Sequence, residues 1–451
     1  MTLEELLTEV TRKETGPKQV KEAQPQPWGW VERSVWTDRM LERLAQSQEQ
    51  TLWFSLWDKV WDQDNLIQAA YEVIWNKGSA GVDQQSTQAF GQQVMEQIQR
   101  LQHQLRGGTY QPLPAKRTWI EKLGTTDLRP LGIPAVRDRV VQAALKHVIE
   151  PILERDFAAQ SYGFRPGRSA QQAIRRVEEM LESGRKWIVD ADLKSYFDTI
   201  PHARLMEKLK RRIVDGRVLG LIDSYLNAGV LEQGKEWQAT PEGTPQGSVI
   251  SPLLANLYLN DLDHQMERDG IQMVRYADDF VILCSTQEEA RAALEKVGKW
   301  VAEQGLILHP TKTRIVPLSE GFDFLGFHFH QGRKGVIKWP RKKSLAKLRE
   351  RIREQTQKGN GNSMETIIRQ LNPMLRGWYG YFRTSIPSAL EKIDEGLRRR
   401  LRSILRLRQK RAGITKGREN KEYPNRWFEE RGLFSLAEGR ALKVPIPMGN
   451  Y

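Results

Sequence analysis

At 451 residues the chain is longer than one ordinary domain and is expected to hold about two to four. Lys and Arg outnumber Asp and Glu by 70 to 56, a formal net charge of +14, which points to a polyanionic partner without telling nucleic acid from an anionic membrane surface. The single cysteine, Cys284, excludes an internal disulfide and a Cys-rich zinc site. No apolar run reaches the ~18 residues of a membrane span, and the acidic, amphipathic start MTLEELLTEVTRKE is unlike a secretory signal, so a soluble cytoplasmic protein is expected.

Residues 1–65 read as an N-terminal extension whose role the sequence does not give. Gly16–Trp30, rich in Pro, Gln and Lys, reads as a linker or arm. Trp53, Trp57 and Trp61 recur at every fourth position, which would line the indoles along one helical face, docked on a core or offered as a base-stacking platform. From residue 66 to 340 helical and strand patterns alternate. KWIVDADLKSYFDTI (Lys186–Ile200) begins as a strand. SPLLANLYLNDLDHQM (Ser251–Met266) begins as a helix, with Ser251 as N-cap and Pro252 in the first turn. VRYADDFVIL reads as two short strands with Asp278 and Asp279 at the turn, Glu288–Gly305 as an amphipathic helix closed by its glycine, and DFLGFHFH as a strand or hairpin. The fold class expected is α+β, an antiparallel sheet backed by helices. Past Pro340 the strands stop. Three helical patterns follow within residues 341–411, and Leu397–Arg418 carries ten basic residues and no acidic one. The tail, 412–451, reads as polar and irregular, anchored by Trp427, Phe428 and Phe434, and is a candidate DNA-binding segment. No internal repeat is evident.

IQMVRYADDFVILC (Ile271–Cys284) raises the chemical question, because it is nearly all apolar except for Arg275 and the adjacent aspartates. Two neighbouring carboxylates in a buried hairpin require positive charge beside them. Oxygen donors suit a hard divalent cation, Mg²⁺ first. With one further carboxylate from a neighbouring strand they would hold two ions about 3.5–4 Å apart, an arrangement that stabilises the attacking and leaving oxygens of a phosphoryl displacement. An Asp pair at a turn is weak evidence by itself, because turns are rich in Asp.

The blocks around it are specific. WIVDADLKSYFD, TPQGSVISPLLANLYL, RYADDF, LILHPTKT and FDFLGFHF, in that order, resemble the reverse transcriptases, and most closely those encoded by group II introns. GSAGVDQQS, LRPLGIPAVRDRVVQAAL and SYGFRPGRSAQQAI look like the family's finger blocks, and LRGWYGYFR like the signature of its maturase, or thumb, domain. The resemblance implies a right-hand polymerase fold: fingers and palm over 66–340 and a helical thumb or maturase domain over 341–411. Asp190 and Asp192 lie two apart in a strand and face the same side, so both are candidates for the third ligand. The family's spacing to the aromatic that screens the sugar 2′ position selects Asp192 and makes Phe197 the screen, with plain core packing as the other reading of Phe197. The resemblance assigns metal contacts to Asp192, Asp278, Asp279 and the carbonyl of Leu193. It sets Gln246 and Gly247 beside the incoming nucleotide, Lys122 and Arg129 on its triphosphate, and Lys312 near the leaving pyrophosphate. Tyr276 and Ala277 fall under the primer end, Phe324, Leu325 and Gly326 in the turn that grips the primer, and Arg376 and Arg383 on the phosphates of the hybrid.

The resemblance therefore implies an RNA-directed DNA polymerase that uses dNTPs and two Mg²⁺ ions, with Mn²⁺ able to substitute. Its partners are an RNA template, a DNA primer and a structured intron RNA whose splicing it assists; no membrane is involved. It would work in a bacterial cytoplasm, associated with the nucleoid or an RNA–protein particle. The one cysteine and short tail imply that the paired-cysteine endonuclease of many relatives is missing. Three other readings stand beside it: a domesticated enzyme of DNA repair or phage defence, an RNA-binding maturase with an idle polymerase site, and a retron or diversity-generating type of reverse transcriptase, which the maturase-like LRGWYGYFR disfavours.

Overall fold

The computed structural model describes residues 28–48, 51–121, 128–232, 236–357, 361–411 and 417–440. The chain divides into two compact units. The first gathers Met1–Ala173, Val189–Ile282 and Glu288–Arg314, and the second Ile174–Ile188, Leu283–Gln287 and Ile315–Tyr451. Lys122, most of the Pro-rich arm, and residues 412–416 and 441–451 of the tail lie outside the described residues.

In the first unit the described part of the front section is bonded to helix Val136–Glu154. Trp36 is fully buried, and its Nε1 donates to the carbonyl of His147 on that helix at 3.0 Å. The expected helix carrying Trp53, Trp57 and Trp61 does not form. Trp53 sits in an isolated bridge to Ile213, Ser55 adopts a φ of 55°, and the helix Trp57–Val60 lasts one turn. The physical reason is distant capping. The Asp215 carboxylate accepts the N–H groups of Leu56 and Trp57 at 2.8 and 3.0 Å, and Asp62 then caps a new helix, Gln63–Trp75.

Two sheets follow in chain order. Strands β1 (Ala115–Glu121) and β2 (Leu128–Ile133) pair antiparallel. After β3 (Trp187–Asp192), the short β4 (Val230–Glu232) and β5 (Trp237–Gln238) complete a sheet of order β2-β1-β4-β5. The β1–β4 pair is parallel, an exception to the antiparallel expectation that a long connection permits. Strands β6 (Met273–Tyr276), β7 (Asp279–Cys284) and β8 (Arg314–Pro317) join β3 in the order β6-β7-β3-β8. Helices Val136–Glu154 and Ser251–Arg268 are buried along most of their length, and each carries polar side chains into the core: Asp138 and Gln142 on one, Asn256, Asn260 and Asp263 on the other. Ser251 is the first helical residue and not the N-cap. Its hydroxyl donates to the Pro245 carbonyl at 3.0 Å, and Ile250 holds the cap position.

The second unit carries an antiparallel sheet of β9 (Phe322–Phe324), β10 (Phe327–Gly332) and β11 (Gly335–Pro340), then helices Lys342–Gln355, Met364–Phe382 and Pro387–Arg408. The helices meet over Leu348, Ile367, Leu371, Leu375, Leu390 and Leu401. Phe428 and Phe434 of the tail enter the same core, with Trp427 packed against it, on chain that includes the short helices Gly417–Glu422 and Asn425–Glu429. The tail anchors are therefore where the sequence puts them. Asp394, nearly buried, fastens the segment by accepting from the N–H groups of Leu436 and Ala437 and from the Ser435 hydroxyl.

Candidate active site

The β6–β7 hairpin turns on two residues, Ala277 and Asp278, between the paired Tyr276 and Asp279. Ala277 takes a φ of 60° and Asp278 does not, the sign pattern of a type II′ turn, whose first central position favours glycine. A Cβ-bearing residue held there is strained, and the surroundings enforce it. The turn leaves Asp278 and Asp279 half-buried at the mouth of a hairpin whose strands are otherwise buried up to Tyr276.

Asp192 ends β3, the strand beside β7. Beyond it, Leu193 and Leu308 form an isolated antiparallel bridge. The hydrogen bonds on either side run from Lys194 N–H to the Ile307 carbonyl at 2.8 Å and from His309 N–H to the Asp192 carbonyl at 2.7 Å. Leu193 is thus a non-hydrogen-bonded position, its carbonyl turned away from that neighbour. The same bridge fixes HPTKT, so that Lys312 Nζ donates to Asp192 Oδ2 at 2.6 Å. Burial pushes the Asp278 carboxyl up, the Asp192 charge adds to this, and Lys312 and Arg275 pull it down. Asp192, Asp278 and Lys312 are therefore one electrostatic cluster. Asp190 belongs elsewhere: Arg314 Nε donates to its Oδ2 at 3.2 Å.

The deepest charge is not one of the aspartates. Arg275 is fully buried, and Nε and Nη2 grip the equally buried Asp263, the Nε contact being 2.7 Å. Its Nη1 donates to Asn256 Oδ1 at 3.0 Å and to the Ala277 carbonyl at 2.8 Å. This is how the strand tolerates an arginine, and it ties the turn to helix Ser251–Arg268. The sequence carried a signal for it. Asn256, Asn260 and Asp263 recur at helical spacing among the leucines of this helix, a polar stripe that needs partners once it is buried.

One segment closes on this hairpin, and two others hold further candidate residues. Tyr162 N–H donates to the Arg275 carbonyl at 2.9 Å, Asn256 Nδ2 donates to the Gly163 carbonyl at 2.7 Å, and Gly163 lies so close to the Ala277 backbone that a Cβ there would collide with main-chain atoms. Gly163→Ala is expected to cost about 1–3 kcal/mol, as over-packing does, and to lower activity with it. Thermal unfolding of that variant, and its catalytic rate beside that of the natural protein, check both. In the second segment, Gly132 N–H donates to the Gln246 carbonyl at 2.7 Å, and a Cβ at Gly247 (φ 106°) would lie 2.6 Å from the Gly132 carbonyl oxygen. RPLGIP and TPQGS therefore touch through their glycines. Gln142, buried on helix Val136–Glu154, accepts from Val249 N–H at 2.9 Å and meets the Ser248 hydroxyl at 2.8 Å, fixing the loop from below. In the third, helix Tyr196–Thr199 puts Tyr196 in the core, its hydroxyl donating to the Ala255 carbonyl at 2.6 Å. Phe197 stays half-buried, and its carbonyl accepts from Thr244 N–H at 2.6 Å. The core-packing role falls to Tyr196. Asp198 beside it is pushed up by burial and held down by Arg117 and Arg129, so Arg129 stands in the Phe197 neighbourhood.

In the second unit, Leu325 (φ 45°) and Gly326 (φ 84°) form a two-residue turn between the paired Phe324 and Phe327, with positive φ at both positions as a type I′ turn requires. Phe324 is fully buried. The Leu325 carbonyl accepts from the Tyr381 hydroxyl at 2.8 Å, and the Gly326 carbonyl accepts from Arg341 N–H at 2.9 Å. The exposed Arg376 lies over the Phe434 ring at 4.7 Å, and Arg383 is exposed at the end of its helix. Tyr379 packs in the core.

An all-carboxylate donor set fits a hard divalent cation. Among the described residues no three His, Cys, Asp or Glu side chains are gathered closely enough to share one ion as they stand. The Lys312 ammonium supplies on Asp192 the charge compensation that a cation would. No helix of the described residues is long and apolar enough to cross a membrane.

Residues 117–329 match the reverse transcriptase (RNA-dependent DNA polymerase) family, and residues 345–423 match the group II intron maturase-specific domain. Protein YkfC of Escherichia coli (strain K12) is 37% identical, the match covering 58% of this chain and 79% of YkfC. The group II intron-encoded protein LtrA of Lactococcus lactis subsp. cremoris is 34% identical over 67% of this chain and 61% of LtrA. Among solved structures, a chain of a partial Cas6-RT-Cas1–Cas2 complex is 29% identical, covering 55% of this chain and 41% of that one with a TM-score of 0.35. With both domains matched in order and the paired aspartates set on the hairpin beside Asp192, the chain belongs to the group II intron-encoded reverse transcriptase/maturase family, whose enzymes are RNA-directed DNA polymerases.

Proposed function

We propose that this protein extends a DNA 3′ end on an RNA template from dNTPs, with Asp192, Asp278 and Asp279 holding two Mg²⁺ ions that Mn²⁺ can replace, and that its maturase domain binds the intron RNA to assist splicing and mobility. The carrying observation is the cluster itself. Asp192 and Asp278 stand close enough for one charge to act on the other, Asp279 follows on the same turn, and a lysine ammonium sits on Asp192. Divalent cations bound there would stabilise charge on the attacking and leaving oxygens of an in-line phosphoryl displacement.

The chain's own residues do the rest. The strained Ala277–Asp278 turn, fixed by Arg275, presents the carboxylates without further reorganisation. The Leu193 carbonyl supplies one more oxygen beside them. Lys312, mostly exposed at its side chain, exchanges Asp192 for the departing pyrophosphate and can give it a proton. Gln246 and Gly247 bound the nucleotide site against β2, where Arg129, with Lys122 from outside the described residues, meets the triphosphate. Tyr276 and Ala277 underlie the primer end, and Phe324, Leu325 and Gly326 hold the primer strand. Arg376 and Arg383 contribute phosphate contacts. The protein works in a bacterial cytoplasm, within an RNA–protein particle.

Phe197 screens the sugar. Phe197→Ala should raise ribonucleotide incorporation relative to deoxyribonucleotide by about 10- to 200-fold, the range a change in pocket volume commands. The ratio of kcat/KM values for the two nucleotides checks it. The reading as a whole is tested by dNTP incorporation on poly(rA)/oligo(dT) with Mg²⁺, comparing the natural protein with Asp278→Ala/Asp279→Ala. Activity that disappears in the double variant supports it. A natural protein inactive on this and on a heteropolymer template would overturn the polymerase reading and leave an RNA-binding maturase.

A further inference from the structure

Phe164 is the residue of this region that folding alone does not explain. It adopts a φ of 57°, a conformation that costs a bulky L residue energy, and it is nevertheless 51% exposed. Its loop is held rigidly from beneath. The nearly buried Arg165 donates from Nε to Glu154 Oε1 and Oε2 at 2.9 and 3.0 Å, and from Nη1 to the carbonyls of Ala158 and Ser161 at 2.6 and 2.8 Å. Gly163 is pressed against Ala277 and tied to Asn256. The Phe164 ring lies beside the Tyr276 ring, centroids 6.3 Å apart and planes at 45°. An anchored loop thus strains an aromatic residue outward, next to the turn that carries Asp278.

We propose that Phe164 is a nucleic-acid-contacting residue of the polymerase site, forming with Tyr276 an apolar floor for the end of the primer–template duplex. This rests on the polymerase function proposed for the Asp192–Asp278–Asp279 cluster. A flat apolar ring takes bases and sugars without regard to sequence, as a polymerase needs. The strain at Phe164 keeps the ring in place, because a residue free to relax would fold the ring away from water.

The test compares Phe164→Gly and Phe164→Tyr with the natural protein, using a fluorescein-labelled RNA–DNA hybrid, anisotropy over a salt series without divalent cation, and thermal unfolding. Glycine removes the ring and relieves the strained φ. The expected result is a Tm at or above the natural one, an affinity about 5- to 150-fold weaker, and an unchanged slope of log K against log salt concentration, since no phosphate contact is lost. Phe164→Tyr restores the affinity. Unchanged affinity in Phe164→Gly overturns the proposal. So does a fall in Tm that tyrosine repairs, which would make Phe164 a packing residue. A natural protein that extends primers while Phe164→Gly binds as tightly removes only this proposal. A natural protein that neither extends nor binds the hybrid removes the polymerase reading and this one together.

Discussion

Asp278→Asn should leave the protein folded and bound to an RNA–DNA hybrid while slowing primer extension by about 10³-fold. The magnitude follows from losing several kcal/mol of charge stabilisation in the transition state, at about 1.4 kcal/mol per factor of ten. The fold should not suffer, because the surroundings of Asp278 oppose its charge. Burial and the Asp192 charge raise the Asp278 carboxyl above the ordinary carboxylate range. A carboxyl raised in the folded state binds its proton more tightly there than in the unfolded chain. Stability therefore falls as pH rises from the ordinary carboxylate value through the raised one, and the penalty persists at neutral pH. Asparagine has no such charge. In buffer with a chelator, the Tm of Asp278→Asn at pH 7 should equal or exceed that of the natural protein, and the difference should vanish at a pH low enough to protonate Asp278. A Tm that drops at neutral pH would mean that the carboxylate is structural. An unchanged extension rate would remove it from the chemistry.

That trade, activity held at a cost in stability, recurs around the site. Ala277 occupies a turn position that suits glycine, and Phe164, whose ring lies beside Tyr276, holds a positive φ as well. Functional sites are where strained backbone is expected to persist, because the surroundings over-determine it. Here the surroundings can be named for the hairpin: Arg275 on the Ala277 carbonyl, Gly163 against its backbone, and helix Ser251–Arg268 behind both.

How much of this was legible beforehand depended on whether the determinant was local. The β6–β7 hairpin, the strand that ends at Asp192 and the helices past Pro340 follow from periodicity and turn chemistry within a few residues, and they lie where the sequence puts them. The tryptophan helix did not form, because its competitor was Asp215, more than a hundred residues away, capping the chain at Leu56 and Trp57. Ser251 failed as a cap because Pro245, on the preceding loop, accepts its hydroxyl. The glycines of RPLGIP and TPQGS could be called turn residues from the sequence; that they close on each other is tertiary information. Within IQMVRYADDFVILC the aspartates sit half-buried at the mouth of the hairpin. The residue needing compensation inside the strand was Arg275, and its partner lay on the next helix back in the chain.

That pair sets the second large effect. Arg275→Met should destabilise the first unit by about 3–5 kcal/mol, because it leaves Asp263 charged and unpaired at zero exposure. Asp263→Leu should cost a similar amount by stranding the guanidinium. Replacing both, Arg275→Met with Asp263→Leu, removes the uncompensated charge and should recover most of the loss, since an apolar pair of similar volume is often as stable as a buried ion pair. Activity should not return with it. Arg275 also donates to Asn256 and to the Ala277 carbonyl, and neither methionine nor leucine can hold the strained turn that sets Asp278 beside Asp192. Urea midpoints for the two single variants and the double give the coupling directly. Primer extension by the double variant then separates two roles for the same side chain. If stability and activity both return, the ion pair served only to fill the core. If stability returns and extension stays at least about tenfold down, as the bond to Ala277 requires, the buried arginine is what keeps the catalytic turn in its working conformation.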